Sequence, residues 1–117
     1  MFKSATVIET LEALKADGAV LVDVRTEQEW KNTGIADVWE IYANTVVSAP
    51  NMELMPEFVN ELEKNVAQAK SVYFICRSGQ RSQVACALAQ QSGYNDVFNV
   101  EGGMNSWIEN SLPIKAV

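Results

Sequence analysis

Cys76 stands where an apolar run meets a polar one. In the stretch VYFICRSGQRSQVACALAQ, Val72 to Gln90, the residues before it are apolar, and those after it are Arg77, Ser78, Gly79, Gln80, Arg81 and Ser82. A cysteine kept for packing usually has apolar neighbours on both sides; this one has them only on its left. A helix reads onward from the same loop, and the first N–H groups of a helix lack intrahelical partners and carry partial positive charge. Arg77 and Arg81 add two full charges, and no acid lies between Cys76 and Gln90. Ser78 and Ser82 offer hydroxyls, and Gly79 lets the backbone bend closely. Such a cradle holds an anion, and the nearest anion is the cysteine's own thiolate. A free cysteine titrates near pH ~8.5, and a helix N-terminus with basic neighbours can bring that to roughly 3.5–7.5. The loop predicts Cys76 as a nucleophile with a lowered pKa.

Cys86 reads differently. It sits in VACALA among small and apolar residues at helical spacing, which is a packing position. With a rise of about 1.5 Å per residue, it falls a turn or more down the helix, beyond disulfide reach of Cys76 without backbone movement.

The elements that must position this loop alternate along the chain. Val7, Ile8, Leu11 and Leu14 recur at helical spacing, and Asp17-Gly18 supplies the stop. AVLVDV, beginning at Ala19, is a buried strand, and Glu27 to Lys31 is a brief helix closed near Asn32 to Gly34. A strand is expected near Ile41 to Val47. Leu54, Met55, Phe58, Val59, Leu62 and Val66 make a helical stripe within Met52 to Ala69. SVYFIC is the clearest strand, and RSQVACALAQQSG is a helix with Gly93 at its C-terminal cap. DVFNV is another strand; after a Gly102-Gly103 turn, a last short helix carries Trp107 into the core. Strands that alternate with helices and are apolar throughout predict an α/β fold with a parallel sheet covered on both faces. Ligands of such sheets sit beyond the carboxyl ends of the strands. Cys76 lies at one such end, and Asp23, followed by Arg25, lies at another.

The bulk composition removes several classes of function. A chain of 117 residues can bury one core without staples, and 1–117 reads as a single domain. Its net charge of -6 argues against nucleic acid or an anionic membrane as the partner. Two cysteines make no disulfide framework, and the absence of histidine argues against a zinc site and against a Ser-His or Cys-His catalytic pair alike, which are taken as excluded. The N-terminal stretch carries acids where a signal peptide needs a long apolar run. No segment approaches the roughly 18 apolar residues of a membrane span. A cytoplasmic address, a free Cys76 thiol, no metal and no organic cofactor are the expectations.

Three stretches together resemble the rhodanese (sulfurtransferase) family. CRSGQRS at a strand end looks like its active-site loop. LVDVRTEQEW is similar to its Asp-Val-Arg motif with an acidic follow-up, and VFNVEGGMNSWIENSLPI to its C-terminal Gly-Gly, Trp and Leu-Pro signature. The likeness covers nearly the whole chain in the right order, and it implies a three-layer α/β/α sandwich on a central parallel sheet. It also implies that the Cys76 thiolate takes the outer sulfur of a donor such as thiosulfate and holds it as a persulfide. The sulfur then passes to a thiophilic acceptor such as cyanide or a thiol, and a protein can serve as donor or acceptor. By position, Arg77, Ser78, Gly79, Gln80, Arg81 and Ser82 bind substrate, with Arg77 and Arg81 attracting the anionic donor unless a salt bridge holds them. Asp23 and Arg25 support the loop rather than touch substrate. The stretch 32–50 departs from the family: there is no histidine, and Gly34-Ile35 followed by Ala36-Asp37 is a loose echo of its usual His-Ile and Gly-Ala. Trp39 and Tyr42 could line the pocket there or pack; packing is the expectation.

Two other readings compete. A phosphatase spaces its cysteine and arginine as Cys-x5-Arg, a position that Ser82 holds here. Arg81 arrives one residue early, giving a tighter loop that suits sulfur better than phosphate. The other is a persulfide carrier or non-enzymatic binding module that works with a protein partner. Inactive rhodanese-like domains commonly lack the cysteine, whereas this chain keeps it inside a full loop.

Overall fold

The computed structural model describes residues 1–16 and 18–117. Five strands form a parallel sheet: β1 (Lys3–Ala5), β2 (Ala19–Asp23), β4 (Ile41–Ala43), β5 (Ser71–Ile75) and β6 (Val97–Val100), in the order β1-β6-β5-β2-β4. β2 is buried along its whole length and β5 from its second residue on, as central strands covered on both faces must be. Helices α1 (Val7–Leu14) and α5 (Gly103–Glu109) pack one face, where Val7, Leu14, Met104 and Trp107 meet Leu21 and Ile75. Helices α3 (Phe58–Asn65) and α4 (Arg81–Gln91) pack the other, where Phe58, Leu62, Ala85, Cys86 and Ala89 meet Val22 and Phe74. The expected sandwich is present, and Trp107 lies in its core.

Helix α2 (Glu27–Thr33) is different: it buries no residue. Its start is built by a capping box in which Thr26 and Glu29 satisfy each other's backbone N–H groups, and its end by Gly34 at φ +80°. A two-stranded antiparallel pair, β3 (Ile35–Ala36) with β7 (Ile114–Lys115), then fastens the carboxyl end of the chain beside it.

The strand register sets the site. Asp23 pairs with Ile75, and the Val24 N–H donates to the Ile75 carbonyl at 2.9 Å, so the loops after β2 and β5 leave the sheet side by side. β6 ends next to β5, with Asn99 opposite Phe74.

Three expectations need correction. The stripe within Met52 to Ala69 is helical only over Phe58–Asn65. Pro56 disfavours helical backbone at Met55, and the preceding residues instead fold back, with a bridge between Val47 and Leu54 that leaves Leu54 exposed. The strand near Ile41 to Val47 stops at Ala43. Trp39 does not pack: Val38 takes the core position, and Trp39 is 73% exposed at the amino end of the sheet, away from Cys76. Tyr42 does pack, against the α3 face, and its hydroxyl accepts from Asn65 Nδ2 at 2.9 Å. The helix stop expected at Asp17 lies outside the described residues; Gly18 after it has φ +92°.

The first turn of α5 braces the loop after β5. Met104 N–H donates to the Cys76 carbonyl at 2.8 Å and Asn105 N–H to the Arg77 carbonyl at 3.0 Å. Gly103, at φ +54°, makes this approach possible, because a Cβ there would lie 2.3 Å from the Cys76 oxygen. Gly103→Ala should therefore lower the unfolding free energy by about 2–5 kcal/mol, from backbone strain plus overpacking, as measured by urea denaturation.

Candidate active site

Cys76 follows β5 directly and is 1% exposed, its sulfur turned inward under the loop. Two groups reach Sγ. The Gly79 N–H donates to it at 3.1 Å, and Ser82 Oγ lies 3.3 Å away. Gly79 has φ +98°, a conformation that L side chains rarely adopt, and it turns the chain so that its N–H faces back to the sulfur. Ser82 sits in the first turn of α4 and is fully buried.

The rest of the loop divides into exposed and committed groups. Arg77, Ser78 and Gln80 are exposed, and Arg77 overhangs a cavity of about 230 Å³ shared with Arg25, Glu29 and Asn105. Arg81 forms a two-pronged pair with Glu29, at 2.6 and 2.8 Å. This hydrogen-bonded guanidinium holds the Glu29 carboxyl down to about 2, and Glu29 in turn raises Arg81. The loop is therefore less basic than its own residues suggest, because Glu29, 52 positions earlier, neutralises one of its two arginines.

Asp23 and Arg25 are brought together and buried, at 0% and 1% exposure. The Asp23 carboxylate accepts from Arg25 Nε and Nη2, the latter at 2.7 Å, and from the Arg25 backbone N–H. Arg25 also donates to Thr33 Oγ1 at 2.7 Å and to the Gly34 carbonyl at 2.8 Å, which grips the end of α2. Through α2 and Glu29 this pair acts on Arg81, so its support of the loop is indirect.

Cys86 is buried on α4, and burial pushes its thiol up to about 12. Both cysteines are free thiols.

Residues 6–110 match a family model for the rhodanese-like domain. The chain belongs to the rhodanese-like family. A protein named sulfurtransferase from Allochromatium vinosum is 36% identical over 110 residues, covering 92% of this chain and 91% of the relative. A thiosulfate sulfurtransferase, GlpE, from Pseudomonas syringae is 30% identical, covering 85% and 81%. The crystal structure of Rv0390 from M. tuberculosis superposes with a TM-score of 0.79 at 27% identity, covering 98% of this chain and all of that one. This rhodanese-like chain thus shares its parallel sheet and flanking helices with rhodanese-like neighbours. Among the described residues no helix is long and apolar enough to cross a membrane.

Two residues of the site escaped the sequence reading. Asn99 is buried in β6; its Oδ1 accepts from Ser82 Oγ and its Nδ2 donates to the Gly79 carbonyl at 3.2 Å. The available signal was one amide inside the apolar run VFNV. Glu29 was visible as the last residue of a Thr-x-x-Glu capping box, but nothing local announced its partner.

A quarter of the Glu29 side chain remains exposed, which screens the Arg81 pair. Glu29→Gln should lower the unfolding free energy at pH 7 by about 1–3 kcal/mol. A carboxylate held near 2 and returning to 4.5 on release stabilises fully above 4.5 and loses that contribution as the pH falls toward 2. Urea titrations at several acid pH values should therefore show the wild-type advantage shrinking over that window.

Proposed function

We propose that the protein is a sulfurtransferase that carries a sulfane sulfur on Cys76. The observation that carries the reading is the thiol at the floor of a strand-to-helix loop, with the Gly79 N–H aimed at its sulfur and no basic histidine in the chain to make it a hydrolytic nucleophile. Cys76, as thiolate, attacks the outer sulfur of thiosulfate; the sulfur–sulfur bond of the donor breaks and sulfite leaves with its electron pair. Cys76 then holds a persulfide whose negative charge sits on the outer sulfur. Cyanide attacks that outer sulfur and departs as thiocyanate, and the Cys76 thiolate is regenerated with no net redox change. A thiol acceptor takes the same atom as its own persulfide.

The residues divide the work. Gly79 and Ser82 set the sulfur environment; Ser78 and Gln80 line the rim where the outer sulfur and donor arrive. Arg77 is exposed and attracts the anionic donor. Arg81, bound to Glu29, shapes the loop and adds long-range positive charge. Asp23 and Arg25 hold the frame. Phosphate chemistry fits poorly, since the position that would need a free arginine is Ser82 and the nearest arginine is tied to Glu29.

Intact mass before and after thiosulfate, then after cyanide, tests the reading. The expected record is a gain of one sulfur atom that cyanide removes, absent from Cys76→Ser. A folded protein that gains no sulfur from thiosulfate or from an organic persulfide would sink it. Sulfur that loads but resists cyanide would favour the carrier reading, with a dedicated protein acceptor. In the cyanide assay, Arg77→Gln should raise the KM for thiosulfate about 3–10-fold while changing kcat little, since its contribution is attraction rather than bond-making.

A further inference from the structure

The cavity of about 230 Å³ under Arg77 lies between α2 and α5, beside the loop that carries Cys76. Its α5 wall is tied to that loop. The N–H groups of Met104 and Asn105, both of which line the cavity, donate to the carbonyls of Cys76 and Arg77. The cavity therefore runs along the backbone one residue from the cysteine, and neighbouring Cα atoms are only about 3.8 Å apart.

The hydrogen-bonding groups of this cavity are unbalanced. Its acceptors are spent. The Glu29 carboxylate has Arg81 on both oxygens and the Thr26 N–H on one of them. Thr33 Oγ1 accepts from Arg25 and gives its hydrogen to the Glu29 carbonyl. Donors, by contrast, are left over. Of the five N–H groups of a guanidinium, Arg25 places Nε and both hydrogens of Nη2 on Asp23 and Gly34, and one hydrogen of Nη1 on Thr33. The second hydrogen of Nη1 has no acceptor among the described residues, although Arg25 is 1% exposed and lines the cavity. Arg77 makes no salt bridge among the described residues. Asn32 engages only its Oδ1, with Gln28, and keeps its amide hydrogens free. Spare donors beside spent acceptors fit a group that only accepts, as an ionised carboxylate does. Met104 and Ile108 add apolar wall, against which a hydrocarbon chain gains burial and an inorganic anion does not. The volume is below the roughly 300–1,000 Å³ of drug-sized sites, so the chain is a few carbons long.

We propose that this cavity is an acceptor subsite, which seats the carboxylate of a small aliphatic thiol that takes the sulfur from Cys76. The inference rests on the reading of Cys76 as the sulfur carrier and names the class of its acceptor. Sulfite has left before the acceptor enters, so Arg77 serves donor and acceptor in turn. The acceptor thiolate attacks the outer sulfur of the Cys76 persulfide. The bond between that sulfur and Sγ breaks, and its electron pair stays on Cys76 as thiolate. The product is the acceptor's own persulfide, with no net redox change.

Two measurements test the assignment. In the first, isotope-labelled protein without bound sulfur is titrated with butanoate, which matches β-mercaptopropionate in length and lacks its thiol. NMR should show saturating shifts at the side-chain amides of Asn32 and Asn105 and at the Ile108 methyl groups. Butanamide should bind about tenfold more weakly, because a hydrogen bond to a charged group is lost. Asn105→Asp keeps the backbone N–H and should weaken butanoate about tenfold, by repelling its carboxylate and occupying Arg77. Asn32→Asp takes its place if the backbone amide spectrum shows that Asn105→Asp is misfolded. In the second, persulfide-loaded protein is mixed with β-mercaptopropionate or with its amide, and loss of one sulfur is followed by intact mass. The ratio of the two rates should fall about tenfold in the same variant, a comparison that cancels intrinsic differences between the thiols. The proposal is overturned if butanoate leaves the cavity signals unmoved, binds no better than butanamide, or is indifferent to both aspartate variants. Shifts with sulfite but none with butanoate would give the cavity to an inorganic anion and overturn it too, as would a rate ratio that the variants leave unchanged. If no sulfur loads from thiosulfate or an organic persulfide, the sulfur-carrier reading falls, while the butanoate titration still decides what the cavity binds.

Discussion

A guanidinium buried to 1% exposure must find a partner for nearly every N–H, or its burial is prohibitive. Arg25 imposes that constraint on everything around it. Its nitrogens fix the Asp23 carboxylate at the end of β2, and then Thr33 and Gly34 at the end of α2. α2 buries no residue fully, though its Trp30 is half-buried with the indole nitrogen covered; polar contacts hold both of its ends, Arg25 at the far end and Arg81 on Glu29 at the first turn. A helix placed by two arginines can in turn place the loop that carries one of them. The arrangement is a closed circuit from β2 through α2 to α4, and the sheet register that puts Asp23 beside Ile75 closes it at the base.

The loop itself is held from below and from one side, and that explains its glycines. The backbone carbonyls of Cys76 and Arg77 are occupied by the first N–H groups of α5, so the loop cannot flatten toward that face. Gly103 permits the contact by offering no Cβ, and Gly79 turns its own N–H to the sulfur. From the side, Asn99 bridges Ser82 and Gly79, so the two groups nearest Sγ are tied to one rigid strand rather than to each other. A side chain on rigid elements keeps its geometry without large contributions from flexible surface residues.

Legibility in the sequence followed element length and locality. β2 and β5 were readable because strands buried on both faces are unbroken apolar runs, and α4 because its cap at Gly93 and its small-residue face are local features. β1, β3 and β7 were not readable: two or three residues carry no periodicity, and these strands exist because a neighbour offers an edge. The stripe from Leu54 to Val66 misled because its spacing is helical throughout, while Pro56 divides it into a folded-back segment and a helix. At the site, Cys76, Gly79 and Ser82 were nameable because one loop contains them. Their controllers, Glu29 and Asn99, lie on other elements, and partnership across 52 or 17 positions leaves no mark on local pattern.

The division of labour among cations follows from the same geometry. The chain has three arginines, Arg25, Arg77 and Arg81, and all three are at this one end of the sheet. Its lysines are at the surface or chain ends, where they make exposed pairs such as Lys3 with Asp96 and Lys31 with Glu27. Planar, forked guanidinium suits buried carboxylates that need two parallel hydrogen bonds, which an ammonium cannot supply in a fixed plane. Two of the three arginines use that property on Asp23 and Glu29, and their charge is largely cancelled on the spot. Arg77 keeps an exposed charge at the rim. Among the described residues Arg77 makes no salt bridge, so in a chain of net charge -6 it leaves one guanidinium charge uncancelled beside the loop that holds the sulfur.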